Sequence, residues 1–258
     1  MRLVEMRSFL VIVLSIFGCV GCSKFVPPQQ STLQAAVSTD PAEAKPPVNK
    51  GPLPVKIGGK LGYVDRSTAK IVATPQFDGA STFNEGLAAV CLGRGCGSNF
   101  GGWIFISSES RPDEQKFGYI DETGQYVVNP QYDDADDFSE GLAAVCVGDC
   151  GFSSVGARKW GFIDKQGHVV IPLQFARVYD FSQSLAAACV GKCSGNGDKW
   201  EGKWGFIDKT GKFVIAPQFD GVGNFDSGGV ASAYLGTGKN EKQGWIDKTG
   251  KFIWNPTN

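Results

Sequence analysis

The stretch Lys116–Gly148 reads KFGYIDETGQYVVNPQYDDADDFSEGLAAVCVG, and Lys203–Gly236 reads KWGFIDKTGKFVIAPQFDGVGNFDSGGVASAYLG. The two stretches match from the opening lysine and glycine, through a proline, to a run of small residues. Their opening phrase occurs five times, as KLGYVD at Lys60–Asp65, KFGYID at Lys116–Asp121, KWGFID at Lys159–Asp164 and at Lys203–Asp208, and KQGWID at Lys242–Asp247. Because a small unit that recurs in register buries its apolar face on its neighbours, the sequence predicts an array of repeats.

Each copy has the composition of short β-strands joined by tight turns. Aromatic and β-branched residues dominate runs such as KWGFID and HVVI, which favours strands over helices. After four of the phrases, DETG, DKQG or DKTG places Asp first and Gly fourth, the pattern of a type I turn with a glycine bulge. In the first copy Asp65–Ala69 lacks the glycine, so we expect a different turn there.

Small side chains mark a third strand in each unit. These runs are Leu87–Cys91, Leu142–Cys146 and Leu185–Cys189, and Leu53–Ile57 is predicted to supply the same strand to the first unit. Between units, PQF-type segments contain prolines that cannot donate to a ladder, so we expect corners there. The prediction is an all-β repeat array of about five three-stranded antiparallel β-meanders, as an open twisted array or a propeller-like ring.

The repeated phrase resembles the WG-repeat family, bacterial units named for a Trp-Gly pair. Trp160-Gly161 and Trp204-Gly205 carry the pair, and the resemblance covers roughly residues 53–258. The first position differs in Leu61-Gly62, Phe117-Gly118 and Gln243-Gly244. The resemblance implies a β-rich interaction or scaffold module without a shared set of catalytic residues.

The N-terminus has the order of an export signal. Arg7 precedes the apolar run Phe9–Phe17, which is too short to span a bilayer comfortably, and small residues follow. Val20-Gly21-Cys22-Ser23 resembles the lipobox of bacterial lipoproteins, which implies acylation of Cys22. Cys19 as the acylated residue, and a soluble secretory signal without lipid, remain alternatives.

These features predict a protein of the bacterial cell envelope. Ser23 after the lipidated cysteine resembles the sorting pattern of outer-membrane lipoproteins, and the start at Met1 or Met6 stays open. A proline-rich segment almost without aromatics follows and should be a disordered tether. The predicted organisation is a lipoprotein signal peptide at 1–21, a lipid-anchored tether at 22–52 and the repeat domain at 53–258.

Composition agrees with a folded exported domain. Hydrophobic residues make up 42% of the chain, which is enough for a core, and the net charge is −1. Without a basic stripe, the sequence gives no attraction to nucleic acid.

The remaining cysteines come in pairs at equivalent places in the first three loops between repeats. The pairs are Cys91 with Cys96, Cys146 with Cys150, and Cys189 with Cys193. In the fourth loop Tyr234 replaces the first cysteine and the second is missing too, so both members are present or both absent. This pattern in an oxidising compartment predicts local disulfides that pin the bases of the loops, with a metal site, free thiols or cross-repeat pairing as alternatives.

The pinned loops are the predicted binding surface, because equivalent loops project from one face of an array. The longest loop contains Phe100, Trp103 and Phe105, and Trp200 lies in the third loop. These aromatic residues could form a patch for a protein or glycan; the alternative is a satellite hairpin that covers the end of a sheet.

No catalytic set emerges from the sequence. The repeated aspartates are explained by turns, and the single histidine, His168, belongs to a hairpin. Asp133, Asp134, Asp136 and Asp137 could hold Ca²⁺, but a solvated corner is the preferred interpretation. We expect a non-enzymatic binding or scaffolding module without a cofactor, which contacts an envelope protein through its loops. The alternative is a cell-wall or glycan binding or processing protein, with stacked aromatics beside carboxylates in a groove.

Overall fold

The structure is a computed structural model that describes residues 51–93, 96, 104–105, 115–150, 158–193, 202–236 and 238–257. All of them belong to one compact unit, Pro47–Asn258. The predicted signal peptide, the lipidation site Cys22 and all but the end of the predicted tether lie outside the described residues. In the part of the chain that is described, no helix is long and apolar enough to cross a bilayer.

Five small antiparallel sheets follow one another along the chain. The first contains β1 (Leu53–Ile57), β2 (Lys60–Val64) and β3 (Ile71–Phe77). The second contains β4 (Gly79–Ala80), β5 (Leu87–Gly93), β6 (Ile104–Phe105), β7 (Gln115–Asp121) and β8 (Tyr126–Tyr132). The third contains β9 (Asp134–Ala135), β10 (Leu142–Val147), β11 (Lys159–Asp164) and β12 (Val169–Phe175). The fourth contains β13 (Arg177–Val178), β14 (Ala186–Val190), β15 (Lys203–Ile207) and β16 (Phe213–Phe219). The fifth contains β17 (Gly221–Val222), β18 (Val230–Leu235), β19 (Lys242–Asp247) and β20 (Phe252–Thr257), with a 3-10 turn at Gly238–Asn240.

The predicted all-β meander is confirmed. In every sheet the strand that carries the repeated phrase lies between a small-residue strand and a proline-containing strand. Leu53–Ile57 takes the small-residue place in the first sheet, as predicted, and pairs with β2. The two-residue strands β4, β9, β13 and β17 extend the other four sheets and were not predicted. The described strands do not close into a barrel.

A bulge in each proline strand explains the repeated glycine. Trp160 pairs with Phe175 and Phe162 pairs with Ile171, so residues two apart on β11 face residues four apart on β12. The bulge brings the backbone of β12 directly over Gly161, where a Cβ atom would lie 2.8 Å from the Leu173 amide nitrogen and closer still to the Ile171 carbonyl oxygen. Only glycine fits under a backbone at this distance.

The prediction that the prolines form corners is wrong. Pro75 and its equivalents lie inside the strands, in the bulges, where a missing N–H costs no ladder bond. The chain passes to the next sheet at the bend one residue after the strand, at Asp78 in the first unit. The amide of Asp78 already donates to the carbonyl oxygen of Cys91 in the second sheet, 2.9 Å away.

The predicted aspartate turns are confirmed. In the second sheet the carboxylate of Asp121 accepts from the amide of Thr123 at 2.9 Å, and Gly124 has a φ of 83°. In the first sheet Ala69, with a φ of 55°, takes the left-handed position in a turn that is one residue longer. The absence of the glycine therefore changes the turn, as expected from the sequence.

The hydrophobic core is divided into clusters, each between two successive sheets. Leu61 and Phe77 of the first sheet pack with Ala88 and Val90 of β5. Other residues of β5, such as Ala89, belong to the next cluster, with the second and third sheets. Strand β5 is therefore enclosed on both faces, which explains its small side chains.

Lysines next to the aspartate turns connect sheets that follow one another. The Nζ atom of Lys165 lies 3.1 Å from Oε2 of Glu85, and that of Lys209 lies 3.3 Å from Oε2 of Glu140. Each Nζ also donates to the backbone carbonyl of the same glutamate, at 2.9 and 2.8 Å. In the fifth sheet Lys248 donates instead to the neutral amide oxygen of Gln183, 3.2 Å away. These contacts fix the register between neighbouring sheets.

Candidate ligand-binding groove

The three predicted cysteine pairs lie within disulfide-bonding distance. The Cα atoms of Cys91 and Cys96 are 5.6 Å apart. They are 6.2 Å apart in the two other pairs, Cys146 with Cys150 and Cys189 with Cys193. All six cysteines are buried. Each pair joins the end of a small-residue strand to the start of a loop, as the sequence predicted.

In the second sheet, the cysteine pair packs over the two-residue strand β4. A Cβ atom built on Gly79 would lie 3.2 Å from the Cβ atoms of both Cys91 and Cys96. In the fifth sheet Tyr234 takes the place of the first cysteine, opposite Gly221 in the ladder. A Cβ atom built on Gly221 would have side-chain atoms of Tyr234 as its nearest neighbours, at 3.5 Å or more. The missing pair leaves space over β17.

A cavity of about 350 Å³ occupies this space, between the fourth and fifth sheets. Its walls include Tyr179 and Trp204 from the fourth sheet, and Asp220, Val222, Tyr234 and Glu241 from the fifth. The rings of Tyr179 and Trp204 stack with their centroids 4.8 Å apart and an interplanar angle of 29°. This stacked pair fixes the ring of Tyr179 at the cavity wall.

A second, smaller cavity of about 110 Å³ is also lined by Tyr179. It is lined by Asp136 and Trp160 of the third unit, by Arg177 of β13 and Asp180 just after that strand, and by Asn224. Because Tyr179 lines both cavities, we treat them as one feature, the inter-sheet groove, which consists of the residues that line either cavity.

The smaller cavity contains carboxyl groups with shifted pKa values. Burial, followed by the charge of Asp137, raises the pKa of Asp180 to about 6. Burial, followed by the charge of Asp180, holds the pKa of Asp136 well above its usual range. Burial also lowers the pKa of the Arg177 guanidinium. Burial therefore disfavours the charged forms of Asp136, Asp180 and Arg177. A ligand that forms hydrogen bonds with these groups would offset part of the cost of their burial.

One carboxylate oxygen in the groove has an unmet hydrogen-bonding capacity. Oδ1 of Asp180 is buried and accepts no hydrogen bond from any described residue. Asp220, in the larger cavity, is satisfied: Lys203 lies 2.5 Å from its Oδ1, and the amide of Gly236 donates to its Oδ2 at 2.8 Å. The smaller cavity therefore offers a ligand an acceptor without a donor, whereas the Asp220 carboxylate of the larger cavity is already paired.

Comparison with protein-family models gives four matches to the WG containing repeat, at residues 62–95, 117–149, 160–200 and 204–236, more than half of the chain. The chain belongs to the WG-repeat family. This confirms the resemblance noted in the sequence, and a β-repeat of this family is compatible with a binding or scaffold module. A search of curated proteins found no match.

The WG repeats also expose apolar side chains at the outer edges of their sheets. These residues stand at the start of the proline strands, and they are Ile71, Tyr126, Val169, Val170, Val214 and Ile253. We call them the outer apolar row. Val214 and Ile253 are 51% and 57% exposed, although valine and isoleucine are usually buried.

Of the loop aromatic residues predicted to form a binding patch, Phe105 is the one within the described residues. Phe100, Trp103 and Trp200 lie outside the described residues. Phe105 belongs to β6, which pairs with β4 and extends the second sheet. That strand agrees with the satellite alternative, and the use of these loops in binding stays a prediction.

The acidic corner after β8 is less solvated than predicted. Asp133 is paired with Lys116, 2.5 Å away, and accepts from the amide of Gly148 at 2.8 Å. Burial raises the pKa of Asp134 to about 6. Among the residues that the structure describes, no three His, Cys, Asp or Glu side chains form a possible metal site.

The sequence contained two clues to the groove. Tyr234 stands where three other units have cysteine, and Arg177 and Tyr179 replace small or acidic residues of the repeat. Both are departures from the repeat, and sequence reasoning used only the first, as evidence for cysteine pairing.

Proposed function

We propose that this WG-repeat protein is a non-enzymatic binding and scaffolding module of the bacterial cell envelope, anchored in the outer membrane by a lipid on Cys22. The repeat domain holds a partner protein near the membrane. The anchor and compartment rest on the sequence of the N-terminus, where small residues precede Cys22 and Ser23 follows it.

The outer apolar row is the observation that carries the protein-binding function. Three of its members, Val170, Val214 and Ile253, hold equivalent places in the third, fourth and fifth sheets and are exposed. An exposed apolar surface rimmed by polar residues is typical of protein interaction sites. An array offers it in extended form, because each unit adds one element of the same surface. The loops with stapled bases would supply further contacts.

Site-specific photo-crosslinking in the native envelope tests this function. A photoreactive residue at position 214 should give a discrete adduct with an envelope protein, and Val170→Asp should abolish that adduct. A photoreactive residue at Gln218, which is exposed on the same strand, is the matched control and should give none. Equal labelling at both positions, or no adduct at either, would remove the support for this surface.

A second candidate function is glycan binding, and the inter-sheet groove favours it. Tyr179 and Tyr234 stand beside Asp180, Asp220 and Glu241, so aromatic rings and carboxylates share one groove. That combination is what a saccharide requires, whereas a protein partner requires a broad apolar surface. The two functions use different residues and are compatible.

A further inference from the structure

We propose that the inter-sheet groove is an oligosaccharide-binding site, with preference for uncharged or cationic sugars over anionic ones. This inference rests on the second candidate function and assigns it a place, a ligand class and a charge preference. It does not depend on the outer apolar row.

The size of the groove fits a short saccharide. The larger cavity, at about 350 Å³, lies at the lower end of the volumes of small-molecule sites. The smaller cavity adds about 110 Å³. A ligand of one or two sugar rings fills such a space, whereas a folded protein segment does not enter it.

The walls of the larger cavity match the two kinds of surface that a sugar ring presents. Its C–H face requires an apolar or aromatic surface, which Val222 and the Tyr179 and Tyr234 rings provide. Its hydroxyl groups both donate and accept hydrogen bonds. Each tyrosine carries a hydroxyl that does the same, and the exposed Glu241 adds carboxylate acceptors at the entrance.

One acceptor in the smaller cavity lacks a hydrogen-bond donor, and a sugar hydroxyl can supply it. Oδ1 of Asp180 is a buried acceptor to which no described residue donates. Leaving such an atom unpaired costs free energy, and a hydroxyl group from a ligand would recover it. The amide of Asn224, which lines the same cavity, can both donate to and accept from a neighbouring hydroxyl.

The charges of the groove determine which sugars it accepts. Four carboxyl groups line it, from Asp136, Asp180, Asp220 and Glu241, and burial favours the neutral forms of Asp136 and Asp180. Lys203 neutralises Asp220, but Glu241 is exposed at the mouth. A uronic acid would place a like charge next to Glu241 at the mouth, whereas a free amino group would be attracted.

Titration calorimetry with three defined probes tests the proposal on the whole chain. The probes are a tetramer of β-1,4-linked N-acetylglucosamine, its deacetylated cationic form, and an anionic uronic acid tetramer. We expect the first two to bind and the third to bind at least tenfold more weakly. Tyr234→Ala should weaken binding of the acetylated probe about tenfold, because it removes one aromatic wall.

Two further variants distinguish a site from general affinity or misfolding. Glu241→Lys changes an exposed residue, so the fold is retained, and it should weaken the cationic probe while strengthening the anionic one. Val214→Ser, in the outer apolar row, should leave all three affinities unchanged. If no probe binds, if the anionic probe binds best, or if Tyr234→Ala and Glu241→Lys bind like the unchanged chain, the proposal is overturned. A failure here leaves the crosslinking result at position 214 unaffected, so the two functions fail separately.

Discussion

The bulge over the repeated glycine leads to a specific prediction for Gly161→Ala. A Cβ atom at this position would lie 2.8 Å from the Leu173 amide nitrogen, and even closer to the Ile171 carbonyl oxygen. Both atoms belong to the backbone, so no side chain can rotate away. The φ of Gly161 is not in the left-handed region, and the cost therefore comes from contact alone. Strands β11 and β12 must separate locally.

The expected loss follows from two contributions. Forcing a methyl group into a packed site costs about 1–3 kcal/mol. Weakening a ladder hydrogen bond beside the bulge adds about 1 kcal/mol. We expect Gly161→Ala to lower the free energy of unfolding by about 3 kcal/mol, with faster amide exchange confined to the third sheet and its neighbours, the second and fourth, because each unit contacts only its neighbours.

Gly221→Ala is the matched control. A Cβ atom there would meet only the Tyr234 ring, at an ordinary 3.5 Å, and its φ is not positive. Urea unfolding of both variants and hydrogen exchange of the native proteins measure the difference. If Gly161→Ala unfolds within about 0.5 kcal/mol of Gly221→Ala, the backbone contact is not what requires the glycine.

Three other results are expected. Because burial raises the pKa of Asp134 from 3.8 to about 6, its stabilising contribution is complete below pH 4 and is lost as pH rises through 6; the free energy of unfolding should rise between pH 7 and 5, by about 1.3 kcal/mol for this group, and Asp134→Asn should reduce that slope. Lys209→Ala should cost about 0.5 kcal/mol, less at high salt, while the effect of Lys248→Ala should not depend on salt, since its partner is the neutral Gln183. Intact mass of protein from its native membrane should show an acylated chain that starts at Cys22 and gains two hydrogens per cysteine pair on reduction; an unacylated mass with free thiols would contradict both the anchor and the pairing.

The fold could be predicted largely because its causes repeat. Each aspartate turn is a local event, decided by a carboxylate and a glycine within four residues. The small-residue strands were identifiable as well, since a strand such as β5 is enclosed by two cores wherever it occurs. Five copies of the same signal made one register consistent along the chain.

What the sequence could not provide depends on contacts between distant residues. The two-residue strands such as β4 carry no pattern of their own, and they form because β5 offers a free edge. The position of Pro75 in a bulge depends on the glycine of the neighbouring strand, not on the residues next to it. The groove depends on a cysteine pair that is missing from one unit, so no single residue of the sequence predicts it.

Regularity and function therefore lie in different residues of the same array. Turn aspartates and bulge glycines fix the strands within each unit, and the lysines that reach Glu85 and Glu140 connect the second, third and fourth sheets. All of them leave little freedom for change. With the register fixed by these residues, positions that pack over the two-residue strands β4, β9, β13 and β17 can vary without loss of the fold. The third and fourth loops use that freedom in opposite ways: one keeps its cysteine pair, while the other replaces it with Tyr234 and opens a cavity beside Tyr179. A ligand of this domain should thus be recognised where the repeat is broken, and Tyr234→Ala, which removes one aromatic wall, should weaken binding and preserve the fold.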